Sequence, residues 1–345
     1  MQLLDLIENK YKVISVVGMA KNAGKTVTLN ELIMEAVDRN IRLGITSIGR
    51  DGEKQDMVTY TEKPMIFVNK GTIIATAEET FKLSEAKLEV LETTDVRTSI
   101  GNVIIGKTLT DGHVQIAGPA INEDTKLISQ KMISFGAELV IVDGAIDRLS
   151  SASPAVTEAT ILATGAVLSR DMDKVIEKSA HQVNLFNLDV VEDEQIRAIA
   201  EEYIKRVAVS IINDKYEVTT LDIKTALNCG SKIAGVLKED SKYVVIKGSL
   251  VAKTLMDIVS RTKKYKNVTF IVKDSTKIFI DYNDWRYFER INVKVAVLEK
   301  INILAVTINP YSPGGYYFSQ SDFLNKMRKI LSPIPVIDVM ISGGI

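Results

Sequence analysis

Three consecutive residues, Gly24-Lys25-Thr26, carry the sharpest chemical signal in the chain. They close the segment Gly18-Met19-Ala20-Lys21-Asn22-Ala23, which follows an apolar run at Val13–Val17 and precedes residues of helical period from Val27. Strand, short glycine-bearing loop and helix, in that order, bring backbone N–H groups together at the positive end of a helix dipole. Phosphate oxygens bind at such a point. The N–H groups of Asn22 to Thr26 would converge on a phosphate, and glycine at 24 would let the backbone approach it closely. Lys25 would reach the β- and γ-phosphates, and the Thr26 hydroxyl would ligate Mg²⁺. The candidate nucleotide-contacting residues are therefore Lys21, Asn22, Ala23, Gly24, Lys25, Thr26 and Val27. The bland alternative is a chance Gly-Lys-Thr at an ordinary helix start; the strand before it and the helix after it favour phosphate. The spacing departs from G-x-x-x-x-G-K-[ST], because Met19 stands at the first glycine position and Gly18 lies one residue early.

Two further carboxylate positions fit the same chemistry. Leu139–Val142 is a fully apolar run that ends in Asp143-Gly144. An aspartate at a strand end, well downstream of a phosphate loop, is placed to hold Mg²⁺ directly or through water; the alternative is an aspartate that only ends a strand. Asp51, Glu53 and Asp56 follow the second expected strand, Leu43–Ile48. Asp51 is nearest that strand end and is the candidate there for metal ligation or for orienting an attacking water; a solvated acidic loop is the alternative. Lys25, Asp143 and Asp51 are the candidate catalytic residues, and Thr26, Asp143 and Asp51 the candidate metal ligands. Arg148 in the loop beyond Asp143 is a candidate phosphate contact or a surface ion-pair partner. Asp274–Lys277 and Asn309–Tyr317 also follow strands. Asn309 is a candidate reader of a base or ligand amide, Tyr316 and Tyr317 a candidate partner surface, and plain turn chemistry the alternative for both segments.

The elements that must position these residues alternate between strand and helix. Leu29, Ile33 and Ala36 predict the inward face of a helix that runs to about Asp38 and stops near Asn40. Asn69-Lys70-Gly71 predicts a hairpin or a corner between Met65–Val68 and Thr72–Ala75. Thr76-x-x-Glu79 reads as a capping box opening a helix. Leu88–Thr93, Thr98–Ile105 and His113–Ala117 read as an inserted antiparallel segment. Asn122–Phe135 is amphipathic. Ser153-Pro154 is expected to open a helix continuing through Thr157–Ala163, Ala166–Leu168 to be a short strand, and Asp171 to cap the next helix. The chain turns acidic and helical near Glu192–Glu202, and the strand–helix alternation then resumes. The reading is an α/β protein with a parallel sheet carrying an antiparallel insertion in residues 1–190, and a second α/β unit in residues 191–345.

The totals exclude several classes. A chain of 345 residues exceeds what one average core serves. Its formal net charge of −1 gives no electrostatic reason to expect nucleic acid or a membrane surface. One cysteine, Cys229, forms no internal disulfide and fits a reducing interior. Two histidines, far apart in sequence and without a partner at metal spacing, make a zinc site improbable. The first residues carry no basic run of a signal peptide and no apolar run reaches a membrane span, so the chain reads as cytoplasmic.

The strand–loop–Gly24-Lys25-Thr26–helix arrangement, with Leu139-Val-Ile-Val-Asp143-Gly144-Ala145, resembles the P-loop NTPases of the signal-recognition, partition and dethiobiotin-synthetase class. That resemblance covers about the first half of the chain. It implies ATP or GTP with Mg²⁺, and metal-binding roles for Asp143 and Asp51. Lys21 stands one residue later than the signature lysine of the partition-type members and is not given that role. Lys21 to Thr26 is also similar to the phosphate loop of molybdopterin-guanine-dinucleotide adaptor proteins. More weakly, Asp143–Arg148, Ala163–Ala166, Asp274–Phe279 and Asn309-Pro310 resemble the ATPase subunit associated with cobalamin-dependent lysine aminomutase, a reactivase. This likeness implies a protein partner, either the aminomutase or a second reactivase subunit; a homodimer is also open. The rival expectation is a synthetase-type enzyme that activates a small carboxylate or amine with ATP.

Overall fold

The computed structural model describes residues 2–48, 65–144, 149–223, 225 and 227–342. The chain divides into two units, one of residues 1–180 and 302–345, the other of His181–Ile301.

The first unit is built on a nine-stranded sheet. In chain order its strands are β1 (Val13–Gly18), β2 (Leu43–Ile48), β3 (Ile73–Ala77), β4 (Leu88–Thr98), β5 (Gly101–Thr108), β6 (Leu139–Gly144), β7 (Ala159–Gly165), β8 (Ile303–Asn309) and β9 (Val336–Asp338). Across the sheet the order is β9-β8-β7-β1-β6-β2-β3-β5-β4. The run from β9 to β3 is parallel, and only β5 opposes its neighbours. The antiparallel insertion is thus an extension of the same sheet. Alternation of side chains along the strands fills two faces. On one face Ile14, Val16, Ile45 and Ile141 pack with Leu29, Leu32, Ile33 and Ala36 of helix α1 (Lys25–Asp38). On the other, Val13, Val140 and Val142 pack with Ile128 and Met132 of the Asn122–Ser134 helix. Because β6 goes to β7 across β1, while β1 itself leads toward β2, the strand order switches direction at β1. Open α/β sheets bind ligands at the carboxyl ends of strands beside such a switch.

The second unit has a five-stranded sheet in which Ser241–Ile246, Thr269–Val272 and Lys294–Val297 are parallel, with Val209–Asn213 and Val218–Thr220 antiparallel beside them. Its core holds Phe270, Leu255, Ile258 and Phe288.

Several expectations change. The second unit begins at His181 and ends at Ile301, and residues 302–345 return to the first sheet. Ile303–Asn309 pairs in parallel with β7 and cannot be separated from it. The strand–helix rhythm runs unbroken across that return, so no change of composition marks it. Residues 159–163 form a strand and not a helix: β7 is buried along its whole length between β1 and β8. A short, mostly apolar run has no period to separate the two. Ala166–Leu168 is a 3₁₀ turn. Thr76 lies inside β3 and caps nothing; its hydroxyl pairs with Thr80 (2.6 Å) and Gln115 O (3.0 Å). Asn69–Gly71 is a corner, since Ile66–Val68 pairs with Gly112–Val114 and not with β3. Among the described residues no helix is long and apolar enough to cross a membrane.

Candidate functional site

At the end of β1 the Met19 N–H donates to Ala163 O of β7 (3.0 Å), and the chain then turns back on itself, Ala23 N to Ala20 O (3.2 Å). Asn22 at φ 64° and Gly24 at φ 103° both lie in the left-handed region, which bends the loop sharply into α1. Glycine enters that region without a Cβ penalty, and asparagine tolerates it. Gly24 is the N-cap of α1, so no side chain caps the helix there, and the first turn carries no acidic residue. The helices at Glu194–Arg206, Tyr282–Arg290 and Gln320–Leu331 are instead capped by Asp193, Asp281 and Ser319. The start of α1 therefore keeps its positive dipole end without a carboxylate of its own helix to offset it.

The register of the sheet brings Asp143 to this point. It stands beside Val16 of β1 on one side and Ser47 of β2 on the other. Lys25, one residue into α1, reaches across the strand ends. Its Nζ lies 2.7 Å from Asp143 Oδ1 and donates to the Gly144 carbonyl. The two side chains are 15% and 21% exposed, which is dry enough to strengthen the pair and open enough for a ligand to reach both. Asp143 Oδ1 is itself buried, and its partner among the described residues is the Lys25 ammonium; a carboxylate has about four lone-pair sites, so acceptor capacity remains beyond that contact. An anionic oxygen in that condition suits a divalent cation. Among the described residues no three His, Cys, Asp or Glu side chains form a metal cluster. A cation here would take most of its oxygens from a bound ligand and from water, as Mg²⁺ does at nucleotides.

Neighbouring groups fix the frame. A Cβ at Gly144 would meet Ser151 Oγ at 2.4 Å and Val17 Cγ1 at 2.9 Å, so only glycine fits behind the carbonyl that holds Lys25. Ser47 Oγ accepts from Gly118 N (2.9 Å), which clamps the segment before the Asn122–Ser134 helix onto the end of β2. Asn309, at the end of β8, is wedged between two glycines: a Cβ at Gly24 would stand 3.0 Å from Asn309 Cβ, and one at Gly165 would stand 2.4 Å from Asn309 O. Thr28 of α1 bonds Thr307 of β8 through their hydroxyls (2.7 Å) and donates to Gly24 O (3.1 Å).

Of the sequence candidates, Lys25, Thr26, Gly24 and Asp143 are brought to one edge; Ala23 is buried beneath it and Lys21 and Asn22 are exposed. Asp51 and Arg148 lie outside the described residues. The tyrosine loop divides. Tyr316 turns inward, its OH donating to Ala166 O (2.7 Å) beneath the Arg170 guanidinium, whereas Tyr311 and Tyr317 are cross-strand neighbours facing outward. Asp274 is buried and accepts from the Thr276 N–H (2.9 Å) and hydroxyl, the turn chemistry that was the alternative for that segment. Ser47 and Gly118 were not among the sequence candidates; nothing in their local pattern marks them, since their contact joins residues 71 positions apart.

No family model matches this chain, and no curated protein matches it in sequence.

Proposed function

We propose that the Gly18–Thr26 loop is a P-loop that binds the phosphates of ATP or GTP together with Mg²⁺, and that the protein hydrolyses the nucleotide. The observation that carries this reading is the meeting of Lys25 with Asp143 and Gly144 O at the carboxyl ends of two adjacent parallel strands, directly under a left-handed glycine and an uncapped helix start. Backbone N–H groups of the loop would bind the β-phosphate. Lys25 would offset charge that grows on the β- and γ-oxygens as the terminal phosphoryl group leaves. Thr26 and Asp143 would hold Mg²⁺, with Asp51 as a further candidate. Bound Mg²⁺ would neutralise the triphosphate and template its geometry.

Hydrolysis serves, in this reading, a conformational cycle on a partner protein. The resemblance in sequence points to reactivation of a cobalamin-dependent aminomutase, and the alternative is an ATP-dependent synthetase acting on a small carboxylate or amine. Phosphate release by the purified chain with Mg²⁺ separates them: turnover accelerated by a protein supports the first, turnover dependent on a metabolite the second. Asp143→Asn tests the site. It should depress turnover far more than nucleotide affinity, because the metal acts most on charge that develops during transfer. A variant with unchanged Mg²⁺-dependent turnover returns Asp143 to a strand-end role.

A further inference from the structure

We propose that the Lys25–Asp143 ion pair is an exchange latch that makes the use of Lys25 by a nucleotide conditional on a divalent cation. The inference rests on the nucleotide reading above and goes beyond it.

Lys25 already has two acceptors. Its ammonium has three donors and meets a carboxylate oxygen at 2.7 Å and a main-chain carbonyl, both supplied by the end of β6. The pair is mostly desolvated, so separating the two charges without replacement leaves a carboxylate in a poorly hydrated place. A phosphate that draws Lys25 away therefore exposes Asp143, and the bared carboxylate then faces the anionic phosphate. Both effects oppose binding of a metal-free nucleotide through Lys25. A divalent cation reverses both, since it replaces Lys25 as the partner of Asp143 and bridges it to the phosphates. The Asp143 oxygen that Lys25 leaves, 2.7 Å from the ammonium before the exchange, is then free to accept the cation. Lys25 and Asp143 are in this account a coupled pair, and the dependence on metal is a property of their contact and not of the metal ligands alone.

Calorimetric titration of ATP and of GTP into wild type, Lys25→Ala, Asp143→Asn and the double variant, each in Mg²⁺ and in EDTA, tests it. In Mg²⁺ the loss of Lys25 should weaken binding by about 30-fold, the effect of a charge-assisted contact. In EDTA the same loss in the wild-type background should be clearly smaller, about 3- to 10-fold, because the ammonium is held by Asp143 and makes no phosphate contact to lose, and its removal costs only the repulsion from the bared carboxylate. In the Asp143→Asn background Lys25 is released, and its removal in EDTA should again cost about 30-fold. Equal losses on Lys25→Ala with and without Mg²⁺ overturn the latch, and that comparison needs no Asp143 variant to fold. Equal losses in EDTA in the two backgrounds overturn it as well, and identify simple repulsion between Asp143 and phosphate as the source of any metal dependence. Absence of binding by wild type in Mg²⁺ overturns the nucleotide reading itself, and the latch with it.

Discussion

Asn309 stands against Gly24: the Cβ that any other residue would carry at position 24 lies 3.0 Å from Asn309 Cβ. The end of β8, a strand contributed by the last part of the chain, thus sets the shape of a loop made by its first part. Gly24 is confined twice, by its left-handed φ of 103° and by this contact. Gly24→Ala should lower stability by about 1–2 kcal/mol from the backbone term alone, and weaken nucleotide binding through the displaced loop. Asn309→Gly removes one of the two clashing carbons, so it should return part of the binding lost in Gly24→Ala while leaving the backbone cost. Denaturant melts and nucleotide titrations on the single and double variants measure both parts; strict additivity would mean that the contact does not shape the loop.

Gly144 is confined by a different neighbour. Gly144→Ala drives a methyl group into Ser151 Oγ and Val17, and overpacking of this kind costs about 1–3 kcal/mol. Ser151→Ala in the same chain deletes the nearer obstacle. The double variant should melt above Gly144→Ala alone, and an equal or lower melting temperature would place the strain elsewhere.

Glu31 gives a pH dependence. Its carboxyl is buried on α1, and burial, followed by repulsion from Glu35, raises its pKa above the usual 4.5. The folded state therefore holds this proton more tightly than the unfolded chain. The stabilising difference is present below the ordinary pKa and is lost as pH rises through the raised one. Glu31→Gln, neutral at every pH, should raise the melting temperature near pH 7 relative to wild type, with the gain shrinking as pH falls toward 4. A gain that is the same at both pH values would rule out ionisation as its cause.

The legible parts of this fold were those with a local signature. Val13–Gly18 and Leu139–Gly144 announce themselves as apolar runs ending in glycine or aspartate, Leu43–Ile48 as a short strand before a polar, glycine-bearing segment, and Leu29, Ile33 and Ala36 give the buried face of α1. Lys25 and Asp143 were legible as candidates for the same reason, and their contact follows from the register of two adjacent strands. What was not legible is set by distant partners. Thr157–Ala163 reads equally well as helix, and β7 is a strand only because β1 and β8 flank it. The hydroxyl of Thr76 is well spaced for a cap, yet in the fold it joins strand and loop across 39 residues. The return of residues 302–345 to the first sheet has no marker in composition, because a strand that leaves one unit for another keeps the same apolar pattern.

The central claim is that Lys25 sits in a nucleotide-phosphate site. Equilibrium titration of ATP and of GTP into the purified chain in Mg²⁺, beside Lys25→Ala, tests it most directly. The account predicts saturable binding of at least one nucleotide by wild type, weakened in the variant by about 2–3 kcal/mol with the folded state retained. Equal affinity of the two proteins for both nucleotides, or no binding by a folded wild type, would contradict it.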